Sequence, residues 1–207
     1  MKIELMNIDE LKAHEQVYPR YLNILRETIK KDAQVKHPII VDQDYHVVLD
    51  GSHRHIALLQ LGCTKAPVLL VNYYSPHISV GSRRKHQFRV EDGQPIPLSK
   101  GAVLYAGLTG KLMMPRSSRH YFKFNKLIPV NVPLVEIGFR TPPDVSIHVA
   151  KYTLEEEISD LNGYVEECNE DLVILDEVIR EVVETKNDQQ KRLMELKELK
   201  NMDVFNE

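Results

Sequence analysis

Long apolar runs are missing from this chain. No stretch approaches the ~20 residues that a membrane-spanning helix requires, which excludes a helical membrane protein. Cysteine is equally scarce. Cys63 and Cys168 are the only two in 207 residues, with no CxxC pair and no histidine at ligand spacing. That excludes a disulfide framework and a structural zinc site, and it points to a reducing compartment, the cytoplasm. The opening MKIELMNIDEL carries acidic residues and no apolar signal core, so no secretory leader is expected. A hyperthermophile bias is absent too, since Asn and Gln are retained.

What is present is a soluble composition, 43% hydrophobic and 28% charged, in a length that holds one full domain plus an appendage or two small domains. The net charge of −3 conceals an asymmetry. From Lys151 onward there are 7 basic and 17 acidic residues, against 20 and 13 before it. A basic body suits an anionic ligand, and an acidic tail disfavours general duplex-DNA binding. Nucleic acid is therefore not an expected partner.

Hydrophobic spacing divides the chain into segments. Residues 3–11 read as a strand or loop, and Leu22, Leu25 and Ile29 predict a helix from Pro19 to about Lys31. Two short strands follow, Ile39–Val41 and Val47–Leu49, joined by a turn. A helix opening at Ser52 turns Ile56, Leu58 and Leu59 inward, leaves His55 outward and ends at Gly62. Pro67–Tyr73 is a nearly all-apolar strand, expected to be buried on both faces. The order α-β-β-α-β predicts a compact α+β unit. Residues 75–100 read as weak strands with a turn at Asp92-Gly93 and a basic cluster, Arg83-Arg84-Lys85-His86. Ser99 is placed to cap a helix, with Val103 and Leu108 on its apolar face, that ends near Gly110. Beyond Thr153, Leu154, Ile158, Leu161, Val165, Cys168, Leu172, Leu175, Ile179 and Val182 follow a 4-3 spacing. This heptad seam reads either as a dimerising coiled coil or as a helix packed on its own domain. A polar stretch, Thr185–Gln190, is expected to break it before a last helix, which leaves an intramolecular hairpin open. The boundaries that follow are 1–80, 81–150 and 151–207: a nucleotide-binding domain, a substrate-side extension and a helical segment.

The most informative motif is LDGSHRH, Leu49 to His55. A strand meets Asp50 and Gly51 and a helix begins at Ser52, so free backbone N–H groups face outward at the junction. Gly51 permits the turn, Ser52 suits an N-cap, and His53 and Arg54 add donors, which together suggest a phosphate. Asp50 is placed to hold a divalent metal riding on that phosphate.

The run P-I-I-V-D-x-x-x-x-V-V-L-D-G-S-H-R-x-x-A-L-x-x-L-G-x-x-x-x-P-V, from Pro38 to Val68, resembles the ParB/sulfiredoxin superfamily. Within it the chain is most similar to free serine kinases, including those of siderophore biosynthesis. The upstream Leu11–Val17, with Glu15 after His14, and the downstream AGLTGKLMMPRSSRH, Ala106 to His120, carry that narrower resemblance, as does Ile128–Leu134. It covers roughly residues 5–138. The resemblance implies a mixed sheet with packed helices and an enzyme moving a phosphoryl group from ATP or ADP, with Mg²⁺, to free L-serine. It implies Glu15 as the carboxylate acting on the serine hydroxyl, and Asp50 beside the metal or that hydroxyl. Gly51, Ser52, His53 and Arg54 would hold the nucleotide's phosphates, and Ser117, Ser118, Arg119 and His120 the amino acid. A homodimer through the C-terminal helix is the expected assembly. Sulfiredoxin itself is disfavoured, because Ser52 stands where its reactive cysteine falls. The rival from another class is a ParB-like nucleotide-dependent DNA-binding or regulatory protein, for which no recognition helix is visible.

Overall fold

The computed structural model describes residues 2–82 and 98–203. The expected Asp92-Gly93 turn and the Arg83–His86 cluster lie outside them. The chain divides into two compact units, Met1–Glu157 and Ile158–Glu207.

A four-stranded sheet organises the first unit. β1 (Lys2–Asn7), β5 (Lys65–Val71), β3 (Ile39–Asp42) and β4 (Val48–Asp50) lie in the order β1-β5-β3-β4. Only the β3–β5 pair is parallel, and it needs a crossover, which α2 (Ser52–Gln60) supplies. Period-2 alternation explains how three apolar strands are buried on both faces. Ile39, Val41, Val48 and Val68 face one core with Leu22, Ile29, Ile56 and Leu59 from α1 (Pro19–Asp32) and α2. Ile40, Val47, Leu49, Leu69 and Val71 face a second core with Tyr73, Ile78, Val103 and Leu104. The last two belong to α3 (Lys100–Thr109), capped by Ser99 Oγ accepting from Ala102 N–H and closed by Gly110. At Gly107 a side chain would collide with both methyls of Val47 at 2.8 Å, so α3 packs closely on the chain that leads into β4.

Two further ladders complete the body. β6 (Ile78–Ser82) pairs antiparallel with β7 (Ser118–Phe122), and β2 (Gln34–Val35) with β8 (Val132–Pro133). No strand was expected over 118–122, and Leu108 is exposed rather than packed under α3. His55 is also a correction. It is buried, because α2 is covered on nearly every side by the sheet, α1 and the chain around His148, and its pKa is pushed down to about 4 by burial and by His148.

The second unit is the body of α5 (Leu154–Asp203), a single helix of 50 residues. The expected break at Thr185–Gln190 does not occur. Those residues include neither Gly nor Pro, and polar side chains alone do not interrupt a helix. An intramolecular hairpin is thereby excluded over the described residues.

Candidate active site

An extended segment, residues 12–17, crosses the body and delivers Glu15. Lys12 N–H donates to His46 O at 2.9 Å, Gln16 N–H to Met113 O at 2.8 Å, and Val17 N–H to His148 O at 2.9 Å. Bridged at Lys12, Glu15 and Val17, this segment has a fixed phase. His14 points into the interior, where a ring nitrogen at 2.6 Å meets Val48 O; since a carbonyl only accepts, Nδ1 carries the proton. Its Nε2 lies 2.7 Å from Ser118 Oγ. Glu15, 8% exposed, receives Ser52 Oγ at 3.4 Å, Ser118 N–H at 3.4 Å and Ser118 Oγ at 3.3 Å. The carboxylate is therefore held between the start of α2 and the start of β7.

Asp50, Gly51, Ser52, His53 and Arg54 form the opposite wall. Gly51 is the cap residue at φ 97°, and Ser52 is the first helical residue, so the serine is not the N-cap expected from sequence. Its hydroxyl is turned to Glu15 instead. The first intrahelical bond is His55 N–H to Gly51 O, at 2.9 Å. The N–H groups of Ser52, His53 and Arg54 thus have no acceptor within the helix. His53 Nε2 accepts the Tyr18 N–H at 3.0 Å, so this ring is neutral with its proton on Nδ1. Burial first, then Arg116 and Arg54, hold its pKa down to about 3. It offers a phosphate a dipole and a donor, not a charge. Arg54 gives Nη2 to Pro38 O at 2.9 Å, while its buried Nε has no hydrogen-bond partner.

These walls enclose a cleft of about 190 Å³ lined also by Tyr21, Leu25, Leu49, Arg116, Ser118, His120 and Lys126. Its side-chain cations are Arg54, Arg116 and Lys126. Lys126 Nζ donates to Asp50 Oδ2 at 3.1 Å, and Arg116, at φ 55°, lies over the rings of Tyr18 and Tyr21 at 5.6 and 5.9 Å. His120 Nε2 is 2.8 Å from the hydroxyl of buried Tyr73. Seven of the ten residues named from sequence line the cleft directly with Glu15: Asp50, Gly51, Ser52, His53, Arg54, Ser118 and His120. Two are not brought to it. Ser117 is buried and bonds Met114 O at 2.8 Å, and Arg119 lies over the ring of Tyr121 at 5.0 Å. Strand alternation explains Arg119: in β7, Ser118 and His120 share one face and Arg119 takes the other. Missed altogether were Tyr21, Arg116 and Lys126. The alternation of SSRHYF, read as a strand, would have turned attention from Arg119 to Arg116; nothing local marks Lys126.

No group of three His, Cys, Asp or Glu side chains suited to a metal ion exists among the described residues. Asp50 stands beside the cations Lys126 and Arg54 and is partly exposed. That fits a magnesium ion brought in on phosphates, which needs one or two carboxylates and keeps its waters, and it does not fit a protein-only cage.

Fold and cleft together define an α+β protein with an open helix N-terminus facing a buried carboxylate. No protein-family model matches the chain. Over 79 residues it is 37% identical to a ParB-like protein of Sulfolobus acidocaldarius, covering 38% of this chain and 39% of that one. Over 80 residues it is 34% identical to an ATP-dependent L-serine kinase of Staphylothermus marinus, covering 37% and 32%. The ATP-dependent L-serine kinase SbnI of Staphylococcus aureus is 36% identical over 69 residues, covering 32% and 27%. The chain thus matches well under half the length of each of these curated relatives. Among solved structures, a free serine kinase in complex with AMP superposes with a TM-score of 0.58 at 15% identity, over 67% of this chain and 94% of that one. The chain is a relative of the ParB-like and L-serine kinase proteins, and its fold is that of the free serine kinases.

Proposed function

We propose that this protein transfers a phosphoryl group from ATP or ADP to the hydroxyl of free L-serine, giving O-phospho-L-serine for amino-acid or siderophore biosynthesis. The observation that carries the reading is the position of Glu15: a buried carboxylate, held by Ser52 and Ser118, across one cleft from the open N-terminus of α2. Phosphoryl transfer asks a protein for positioning and charge neutralisation more than for covalent chemistry. The free amides of Ser52, His53 and Arg54 receive the donor's phosphates, and the unpartnered Nε of Arg54 gives a further donor. Arg116 and Lys126 face charge that spreads over the transferring oxygens. Glu15 accepts the serine hydroxyl proton as the oxygen attacks, and its bonds from Ser52 and Ser118 keep it aimed until then. Ser118 and His120 lie on the side of the cleft where the amino acid enters. Magnesium, when bound, would be held by Asp50, which here accepts from Lys126, and by the nucleotide's phosphates, and would neutralise phosphate charge. The relatives bear names of both donor types, ATP-dependent and ADP-dependent.

No helix among the described residues is long and apolar enough to cross a membrane, and the reaction is read as cytoplasmic. The long helix is read as a dimerising element. The test is phosphorus NMR of the protein with Mg²⁺, L-serine and either nucleotide, beside Glu15→Gln. A serine-dependent phosphomonoester signal, lost in the variant, is expected and identifies the donor. Intact nucleotide in every tube would overturn the reading and move a ParB-like regulatory role forward.

A further inference from the structure

The hydroxyl of Ser118 stands between two acceptors and has one proton to give. His14 Nε2 lies 2.7 Å from Ser118 Oγ, and Glu15 Oε2 lies 3.3 Å from the same atom. The imidazole proton is on Nδ1, held by Val48 O at 2.6 Å, so in the neutral ring Nε2 is a bare lone pair. The shorter contact takes the Ser118 proton, and the longer one then sets oxygen against oxygen with no hydrogen between them. In that state Oε2 is held by the Ser118 N–H at 3.4 Å. One further proton completes the set, in either of two ways. On Glu15 Oε2 it is donated to Ser118 Oγ, while Ser118 donates to Nε2. On Nε2 it is donated to Ser118 Oγ, while Ser118 donates to Glu15. We infer that His14, through Ser118, takes up the proton that Glu15 removes from the attacking hydroxyl, so that the base of this site is a chain of three groups. This rests on the kinase reading above and adds the proton's destination to it.

The surroundings of His14 suit the charge this creates. A buried imidazolium is costly unless its N–H groups and its charge are both matched. His14 is fully buried, yet its Nδ1 and Nε2 already face Val48 O and Ser118 Oγ, and Nε2 lies 3.7 Å from the Glu15 carboxylate. The other titratable ring against it is His120 of β7, edge-on with centroids 5.8 Å apart and itself 2.8 Å from the Tyr73 hydroxyl. Arg54, Arg116, Lys126 and Asp50 line the cleft that Glu15 shares. In the transfer the serine O–H bond breaks as its oxygen bonds phosphorus. The bond from phosphorus to the nucleotide's bridging oxygen breaks too, and its electron pair leaves with the nucleotide. The proton goes to Glu15 and from Oε2 to Ser118 Oγ, as the Ser118 proton moves to Nε2. When the products leave, the same path returns it to water in the cleft. His14 touches no substrate; it is a positioning residue that acts through Ser118 and leaves the carboxylate ionised.

The full chain, isotopically labelled at its histidine nitrogens, would first be read by NMR without ligands, His14 being identified by its contacts with Val48 and Ser118. A ring with its proton on Nδ1 and none on Nε2 is expected. A proton already on Nε2 in the resting protein would overturn the relay, because the receiving nitrogen would be occupied. Single-turnover phosphorylation of L-serine, with Mg²⁺ and ATP or ADP, would then be timed in mixtures of light and heavy water. Two protons moving in one step give a curved dependence of rate on deuterium fraction, and one proton gives a straight line. A curve in the native protein that becomes a line in Ser118→Ala is expected, with the rate lowered roughly 10–10²-fold, less than for loss of Glu15 itself. That variant deletes one hydroxyl and keeps the N–H that holds Glu15. His14→Gln, which offers Ser118 an acceptor and takes no proton, is expected to give the same line. A straight line in the native protein overturns the relay and leaves the kinase reading standing. A curve that persists in both variants overturns the assignment to His14. No phosphoserine from the native protein with either nucleotide overturns the kinase reading, and the relay with it.

Discussion

Within α5, Glu157 is 3% exposed and its neighbour Ile158 is 49% exposed. The acid is inside the first unit and the isoleucine is outside it. Before this point the apolar residues of every central strand are consumed by two cores, one on each face of the sheet. After it the apolar residues keep a regular period, and most of those described are exposed while Leu161 and Cys168 are half-buried. The two regions show that burial does not follow from hydrophobicity itself: Glu157 is buried because the first amides of α1 need an acceptor, while Ile158, an apolar side chain, stays 49% exposed.

The largest expected effect breaks the cleft while leaving the helix alone. Glu15→Gln should lower the rate of serine phosphorylation by about 10²–10⁴-fold, the usual worth of a positioned general base, with no change in mass by light scattering. Paired truncations sharpen the contrast directly. Ile56→Ala, in the fully buried core, should destabilise the body by about 2–5 kcal/mol in urea unfolding. Ile179→Ala should leave that transition within about 0.5 kcal/mol and raise the concentration needed for dimerisation.

Acid should also act on the body first. His53 and His55 are held neutral in the fold, at pKa values of about 3 and 4, chiefly by burial. Unfolded, they titrate near 6.5, so below that pH the unfolded chain binds the extra protons. Their contribution to stability is complete above pH 6.5 and is lost as pH falls toward 4 and then 3. Each histidine adds a slope of about 1.4 kcal/mol per pH unit, measurable as a falling urea midpoint between pH 7 and 5. Gly51→Ala is expected to cost about 1–2 kcal/mol of stability for a left-handed alanine. Its new methyl would also meet Arg54 Nη2 at 2.8 Å, so nucleotide affinity by calorimetry should fall as well. A modest effect is expected at the boundary, where Glu157→Ala should cost about 1 kcal/mol through loss of its bonds to the first amides of α1.

The sequence made the phosphate turn legible because its parts are contiguous: strand, glycine, helix start. Glu15 was legible only through resemblance, since nothing in residues 12–17 says that they will bridge to His46, Met113 and His148. Lys126 and Tyr21 reach the cleft through tertiary placement with no local mark. Arg119 and Arg116 were confused because the phase of a strand decides which side chain faces in, and β7 was not recognised as a strand. His55 was read as exposed because a helix was assumed to have a wet side; α2 has almost none. The heptad was plain in sequence, whereas its continuity was not, because helix propensity carried it through a stretch whose polarity suggested a stop.

Gly107 has a consequence for how the two halves of the cleft stay matched. One half, from Glu15 to Arg54, is encoded before residue 60; the other, Arg116, Ser118 and His120, follows α3. The helix rests on Val47 with only a hydrogen atom between them, and from its end the chain runs a few residues to Met113, which bonds His14 O, and then to Ser118. Glycine at this crossing works as a gauge: its thinness sets the height of α3 above the sheet, and with it the gap across which Ser118 meets Glu15. An alanine there would touch no ligand and remove no catalytic group, yet it would lift one half of the cleft away from the other.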